Sequence, residues 1–134
     1  MNTFSLTIVT PDGLLFEGKA EELIVRTTSG DLGILAGHIN CVAPLGMGLA
    51  TVVAEGKKRY AACIGGMVSV LNGQVKLVPT TFEWADKIDV ARATASEQRA
   101  KAVISSKSSS DTDLRLAEAR LKRALVRQSA ASYK

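Results

Sequence analysis

Aromatic side chains are nearly absent: three Phe, two Tyr and one Trp in 134 residues. The core must therefore be built from aliphatic side chains, and the stacking platforms of single-stranded nucleic-acid binders are missing. Histidine occurs once, as His38, on a glycine-rich stretch with no nearby Cys or paired carboxylates. That excludes a Ser-His-Asp or Cys-His arrangement and a His/Cys metal site. Cysteine occurs twice, at positions 41 and 63, with no CxxC spacing. Two free thiols in a reducing compartment are expected. No GxxxxGK[ST] or GxGxxG appears, and the glycines of GDLGILAGH lack a lysine and precede a strand pattern, so they read as turn residues. The N-terminus NTFSLTIVT lacks the basic start and long apolar stretch of a signal peptide. No set of acid, base and nucleophile emerges, and an enzyme is the least expected class.

Charge is also missing locally. Leu32 to Ala54 runs 23 residues without Asp, Glu, Lys or Arg. Its length would cross a bilayer. Gly33, Gly37, Asn40, Pro44, Gly46 and Gly48 divide it into short pieces whose polar groups lipid would leave unsatisfied. It is read as buried strand and loop.

Hydrophobic residues make up 46% of the chain, enough for a packed core. Phe4, Leu6 and Ile8 alternate with polar residues as in a half-buried strand. Pro11-Asp12-Gly13 is a turn, Leu23-Ile24-Val25 a β-branched run, and Glu55-Gly56-Lys57 a hairpin connection. Asn72-Gly73, between Met67–Leu71 and Gln74–Val78, is the strongest hairpin signal, because this pair accepts positive φ at both turn positions. Short strands at this spacing predict a β-sandwich or barrel to about Val78, closed by Pro79, with a linker over 80–87.

The period then changes. Asp89 is an expected N-cap, and Ile88, Ala91, Ala95 and Ala102 recur at helical spacing. SSKSSS breaks the pattern, and Asp111 or Thr112 is expected to cap a second helix with an apolar seam at Leu114, Ala117, Leu121 and Ala124/Leu125. A two-helix hairpin buries one seam only, so it must dock on something further.

Charge follows this division. Residues 1–86 carry six Lys/Arg and eight Asp/Glu, and residues 87–134 carry eleven and five. At about 100° per residue, Asp89, Arg92, Ser96 and Arg99 share one side of the first helix, and Arg120, Arg123 and Arg127 one side of the second. Guanidinium suits phosphate oxygens and acidic protein surfaces alike. Spacing alone leaves three readings open: a solvated face, a protein contact, or a nucleotide site.

The order of VTPDGLLFEG, GDLGILAGH, CIGGMVSVLNGQVKLV and IDVARA resembles the epsilon-subunit family of bacterial and chloroplast F-type ATP synthases, over nearly the whole chain. The resemblance implies a ten-stranded β-sandwich (1–81) followed by an antiparallel two-helix hairpin (82–134). It implies a non-catalytic rotor subunit, peripheral to the cytoplasmic side of the cell membrane. Its partners would be the gamma subunit, the c-ring and the alpha/beta head, with no nucleic acid and no metal. The segment 31–40 matches the c-ring contact region, so Asp31 and His38 are expected there. The family has proline where this chain has Ala36, and often where it has Asn40, which should loosen that loop. The hairpin is the regulatory element, lying on the sandwich or extending along gamma to block ATP hydrolysis. Some members bind ATP in the folded state, with or without magnesium, through Ile/Leu-Asp-x-x-Arg-Ala. That motif is complete here as Ile88, Asp89, Arg92 and Ala93. Glu83 and Arg99 match flanking positions, and the second-helix arginines map to Arg123 and Arg127. The rival reading is a free-standing nucleotide-binding module with a β-sandwich head.

Overall fold

The computed structural model describes residues 2–133. Eight strands come first: β1 (Phe4–Thr10), β2 (Gly13–Ala20), β3 (Glu22–Thr27), β4 (Gly30–Leu35), β5 (Cys41–Pro44), β6 (Met47–Ala54), β7 (Lys57–Leu71) and β8 (Gln74–Trp84). A 3-10 turn, Ala85–Lys87, leads to α1 (Val90–Ser105) and α2 (Asp111–Ala131). The strand order is β2-β1-β8-β7-β6-β3-β4, with β5 pairing β7 at Met67–Val70, beyond the stretch that β6 pairs on the same edge. All neighbours are antiparallel except β1 and β8, which run parallel from Ser5 opposite Gln74 to Ile8 opposite Leu77.

Alternation places the core as expected. Phe4, Leu6 and Ile8 are buried along β1, and Leu23 and Val25 along β3. They meet Val68, Val75 and Leu77 in one aliphatic cluster, with Phe82 and Trp84 at its end. Both sharp hairpins take left-handed backbone at two successive positions, Glu55 (φ 53°)-Gly56 (φ 72°) and Asn72 (φ 50°)-Gly73 (φ 78°). Such turns match the right-handed twist of the strands they join.

Two expectations about the strands are corrected. The segments before and after Gly65-Gly66 are one strand, β7, which bends there. Gly65 and Gly66 have φ of +69° and +95°. A Cβ on Gly66 would lie 2.1 Å from the Val78 carbonyl oxygen, so only glycine lets the partner strand approach. Pro79 does not end the sheet. It sits opposite Gly66 inside β8, which continues to Trp84 opposite Ala61. Proline survives here because the ladder is interrupted at the bend, where Gly65 and Thr80 are unpaired. Counting each bent strand as two arms turns eight strands into the ten segments of the expected sandwich.

The helix starts follow capping rules. Asp89 accepts from the Arg92 backbone N–H at 3.0 Å. The second cap is Ser110, one residue earlier than expected: it bonds the Asp113 N–H at 3.1 Å, and the Asp113 side chain accepts from the Ser110 N–H. That reciprocal capping box satisfies two orphan donors, which an Asp111 cap would not.

The seam of the second helix falls where expected: Ala117 and Ala124 are buried and Leu114 and Leu121 half-buried, with Ala124 rather than Leu125 on the inner side. Ala93 and Ala100 of α1 and Ala117 and Ala124 of α2 are buried, while Ala91, Ala95 and Ala102 are exposed and Leu125 is 44% exposed. With alanines at several angular positions of α1, helical spacing could not select its buried face. The face that wins also carries the hairpin onto the sandwich. There Ala130, Ala131 and Val126 of α2 pack with Ile88 against Leu49 and Ala62.

Candidate functional site

Where α1 leaves the sandwich, a cleft of about 570 Å³ opens between three parts of the fold. The helix cap places Asp89, and the turn after it carries Arg92 and Ala93, with Ser96 and Arg99 one and two turns on. Glu83 reaches in from the end of β8 and Arg127 from the last turns of α2. Arg127 Nε donates to Glu83 Oε1 at 2.5 Å. The cleft therefore holds three guanidinium groups and the Lys87 ammonium against three carboxylates, Asp12, Glu83 and Asp89.

Most sequence-predicted residues converge here. Ile88 does not line the cleft: it is buried beneath it, fixing the start of α1 against Ala62 and Ala130. Arg123 lies in an adjoining groove between the helices, which shares Ser96, Arg99 and Arg127 with the cleft. The structure adds Thr10 and Asp12 from the β1–β2 turn and Thr80 and Thr81 from β8. Nothing local marks them. They arrive because β1 runs parallel to β8, which brings a turn near residue 12 beside residues near 80.

The hairpin is held closed by a second polar contact. Gln128 Nε2 donates to Glu97 Oε1 at 2.9 Å, and Lys101 lies 3.0 Å from Glu97 Oε2. The Gln128 hydrogen bond, then the Lys101 contact, hold the Glu97 carboxyl below its usual range. At the C-terminus of α2, Tyr133 stacks on Tyr60 of β7 with ring centroids 4.6 Å apart. Trp84 is buried in the core, beneath the Arg59 guanidinium at 3.7 Å.

Asp31 and His38 are not brought together. Asp31 lies near the start of β4, 3.6 Å from Arg26, and His38 lies past its far end, its Nδ1 2.8 Å from the Ile39 carbonyl oxygen. Asn40 sits in the loop after β4. Its Oδ1 accepts from the Asn72 N–H at 2.8 Å, tying the loop to the β7–β8 turn. Both cysteines are free thiols, and burial pushes Cys63 up to about 12, so it stays protonated. Among the described residues no group of three His, Cys, Asp or Glu could hold a metal, and no helix is long and apolar enough to cross a membrane.

Comparison with known proteins gives a consistent result across the chain. Residues 3–85 match the family described as ATP synthase, Delta/Epsilon chain, beta-sandwich domain, and residues 86–132 its long alpha-helix domain. The chain is 43% identical over 127 residues to the ATP synthase epsilon chain of Bacillus velezensis, covering 95% of this chain and 96% of that one. It is 42% identical over 135 residues to the epsilon chain of Ruminococcus albus, covering both chains fully (100%). A chain in the Euglena gracilis mitochondrial ATP synthase structure (OSCP/F1/c-ring, rotational state 1) superposes with a TM-score of 0.85 at 24% identity, covering 100% of this chain and 83% of that one.

Proposed function

Because the chain belongs to the delta/epsilon chain family of ATP synthase, we propose that it works as a non-catalytic central-stalk subunit whose hairpin senses ATP. In this role it joins the gamma subunit and the c-ring to the alpha/beta head, peripheral to the membrane on its cytoplasmic side. The hairpin restrains ATP hydrolysis when it leaves the sandwich. No reacting group of its own is required.

The observation that carries the sensing role is the three-part composition of the cleft. Its walls come from β8, α1 and α2, and they meet only while α2 lies on the sandwich. A ligand touching all three walls binds the folded hairpin and not the extended one. Such differential affinity is the only way a ligand shifts a conformational equilibrium. Arg92, Arg99 and Arg127, with Arg123 in the adjoining groove, supply planar donors for a nucleotide's phosphates. ATP, with or without magnesium, is the ligand this reading implies. The assembly role is supported by an exposed apolar face across β5, β7 and β8, formed by Val42, Met67, Leu71 and Val78. A face of this kind suits a protein partner, and gamma is the one proposed.

Calorimetric titration of ATP into the full chain tests the sensor. We expect saturable heat, with binding weakened at least tenfold by Arg92→Ala. Absence of heat at millimolar ATP with magnesium would remove the sensor and leave the stalk role. Co-elution with gamma on gel filtration tests the stalk role separately; failure to co-elute would favour a free-standing nucleotide-binding module.

A further inference from the structure

Arg127 ties α2 to β8 through Glu83, and Lys122 of the same helix meets the sandwich three strands away, at β3. There Lys122 closes a cavity of about 350 Å³ whose other walls include Arg26, Thr28, Gly46 and Met47. No carboxylate lines it. Its floor is braced. The Thr28 N–H donates to the Pro44 carbonyl oxygen at 3.1 Å and the Gly46 N–H to the Arg26 carbonyl oxygen at 2.9 Å, locking the β3–β4 turn to the link before β6. Arg26 lies across β6 where a side chain is missing: a Cβ on Gly48 would fall 2.6 Å from Arg26 Cβ. The arginine stem is thus placed before any ligand arrives. Among the described residues Lys122 makes no ion pair, and Arg26 has only Asp31, at 3.6 Å with both side chains more than half exposed. Such a screened pair is weak. Two cations, one from the helix and one from the sandwich, therefore face one cavity, and their repulsion opposes docking of α2.

We propose that this cavity binds a single tetrahedral oxyanion, inorganic phosphate, which bridges α2 to the sandwich. The Thr28 and Gly46 backbone donors are spent within the protein, so side chains do the holding. The Arg26 guanidinium and the Lys122 ammonium supply charge, and the Thr28 hydroxyl adds a neutral donor. A dianion offsets both cations at once. A planar carboxylate presents its oxygens in one plane, whereas a tetrahedral anion presents them to walls on several sides. Met47 is the one large apolar wall and no aromatic ring is present, so a nucleoside has no seat. Because Arg26 and Lys122 sit on separate parts of the fold, the complete site exists only while α2 lies on the sandwich. Its occupant stabilises that docked state by mass action. This consequence rests on the proposed reading that the hairpin can leave the sandwich, and the site itself does not. The cavity shares no residue with the nucleotide cleft.

Free phosphate can also meet the arginines of the cleft, so the test reads individual residues. Sodium phosphate is titrated into the full-length chain at constant ionic strength, with sodium chloride as control, and backbone amide resonances are followed by NMR. The same titration is run on Lys122→Ala, Arg92→Ala and Arg115→Ala. Arg115 is an exposed arginine of α2 outside the cavity. We expect saturable shifts at Thr28, Gly30 and Gly46, weakened about tenfold by Lys122→Ala, the loss typical of one charge-assisted contact. Arg92→Ala and Arg115→Ala should leave them within about twofold. In the Arg92→Ala chain, saturating phosphate should slow hydrogen exchange over residues 124–131 at least about twofold, and adding Lys122→Ala should remove that protection. Shifts confined to Ser96 and Arg99, or undiminished shifts in Lys122→Ala, would overturn the site. Saturable shifts with unchanged exchange would overturn the bridge. ATP titrated in parallel separates free phosphate from the tail of a nucleotide: equal shifts at Thr28 and Gly46 from ATP would overturn recognition of a single oxyanion. Phosphate shifts at these residues with no response to ATP anywhere would sink the nucleotide sensor and leave this site standing.

Discussion

Arg127 Nε lies 2.5 Å from Glu83 Oε1, joining residues 44 apart in the chain and bridging α2 to the end of β8. Among the described residues it is the single ion pair between hairpin and sandwich. Both side chains are about one-third exposed or less, so solvent screens the pair only in part. Glu83→Gln keeps an acceptor and removes the charge. An interaction of this kind contributes on the order of 0.5–1 kcal/mol. Hydrogen exchange over residues 124–131 should therefore speed up about two- to fivefold. Unchanged protection would mean that Ala130, Ala131 and Tyr133 hold the helix alone.

The end of β8 decides where the chain can be cut. A chain ending at Thr81 loses Phe82 and Trp84, both buried in the sandwich core with ring centroids 4.9 Å apart. Removing one such aromatic costs about 3–5 kcal/mol. A chain ending at Lys87 keeps both. Thermal unfolding should show a cooperative transition for 1–87 and none, or one shifted down by more than about 10 °C, for 1–81. Equal midpoints would contradict the placement of these rings in the core.

Left-handed backbone and close approach can be separated at two glycines. Gly56 has φ +72° and open space around a would-be Cβ, so Gly56→Ala should cost about 1 kcal/mol from conformation alone. Gly66→Ala adds a 2.1 Å clash with the Val78 carbonyl oxygen. It should cost at least about 2 kcal/mol more than Gly56→Ala in chemical denaturation. Similar losses for the two variants would show that the bend relaxes.

Acid should loosen the hairpin through Glu97. Its carboxyl is held below the ordinary value of 4.5 in the folded chain, so its contribution is present above that pH. The contribution is lost as pH falls through the lower, folded value, where protonation weakens the contacts to Gln128 and Lys101. Glu97→Gln should leave the helical signal less sensitive to acid as pH falls below the ordinary carboxyl value of 4.5. An identical acid titration in both proteins would assign the sensitivity to other carboxylates.

The parts legible in sequence are those set by neighbours along the chain. Asn72-Gly73 declared its turn, Asp89 its cap, and Asp89, Arg92, Ser96 and Arg99 their common side, because turn chemistry and helical period act over a few residues. What was missed depends on contacts distant in sequence. Pro79 read as a terminator because proline lacks a ladder donor, yet the Gly66 bend opposite removes the need for one. The buried face of α1 was ambiguous because alanine fits any face; Ala93 and Ala100 are buried, not Ala91, Ala95 and Ala102. Thr10 and Asp12 carry no mark of their place in the cleft, which follows from the parallel pairing of β1 with β8.

The bends in β7 and β8 bear on how load crosses the molecule. A sandwich whose layers meet only through side chains can slide along its packed interface. Here the backbone of β7 leaves the ladder with β6, turns at Gly65-Gly66, and enters the ladder with β5. Its partner β8 turns with it at Pro79 and continues past Phe82 to Trp84. A sideways force on the rim near Asn40 and Asn72 is therefore carried by covalent chain and paired hydrogen bonds to the end where the helices attach. There the 3-10 turn Ala85–Lys87, with Ala85 buried, joins the sandwich to the hairpin.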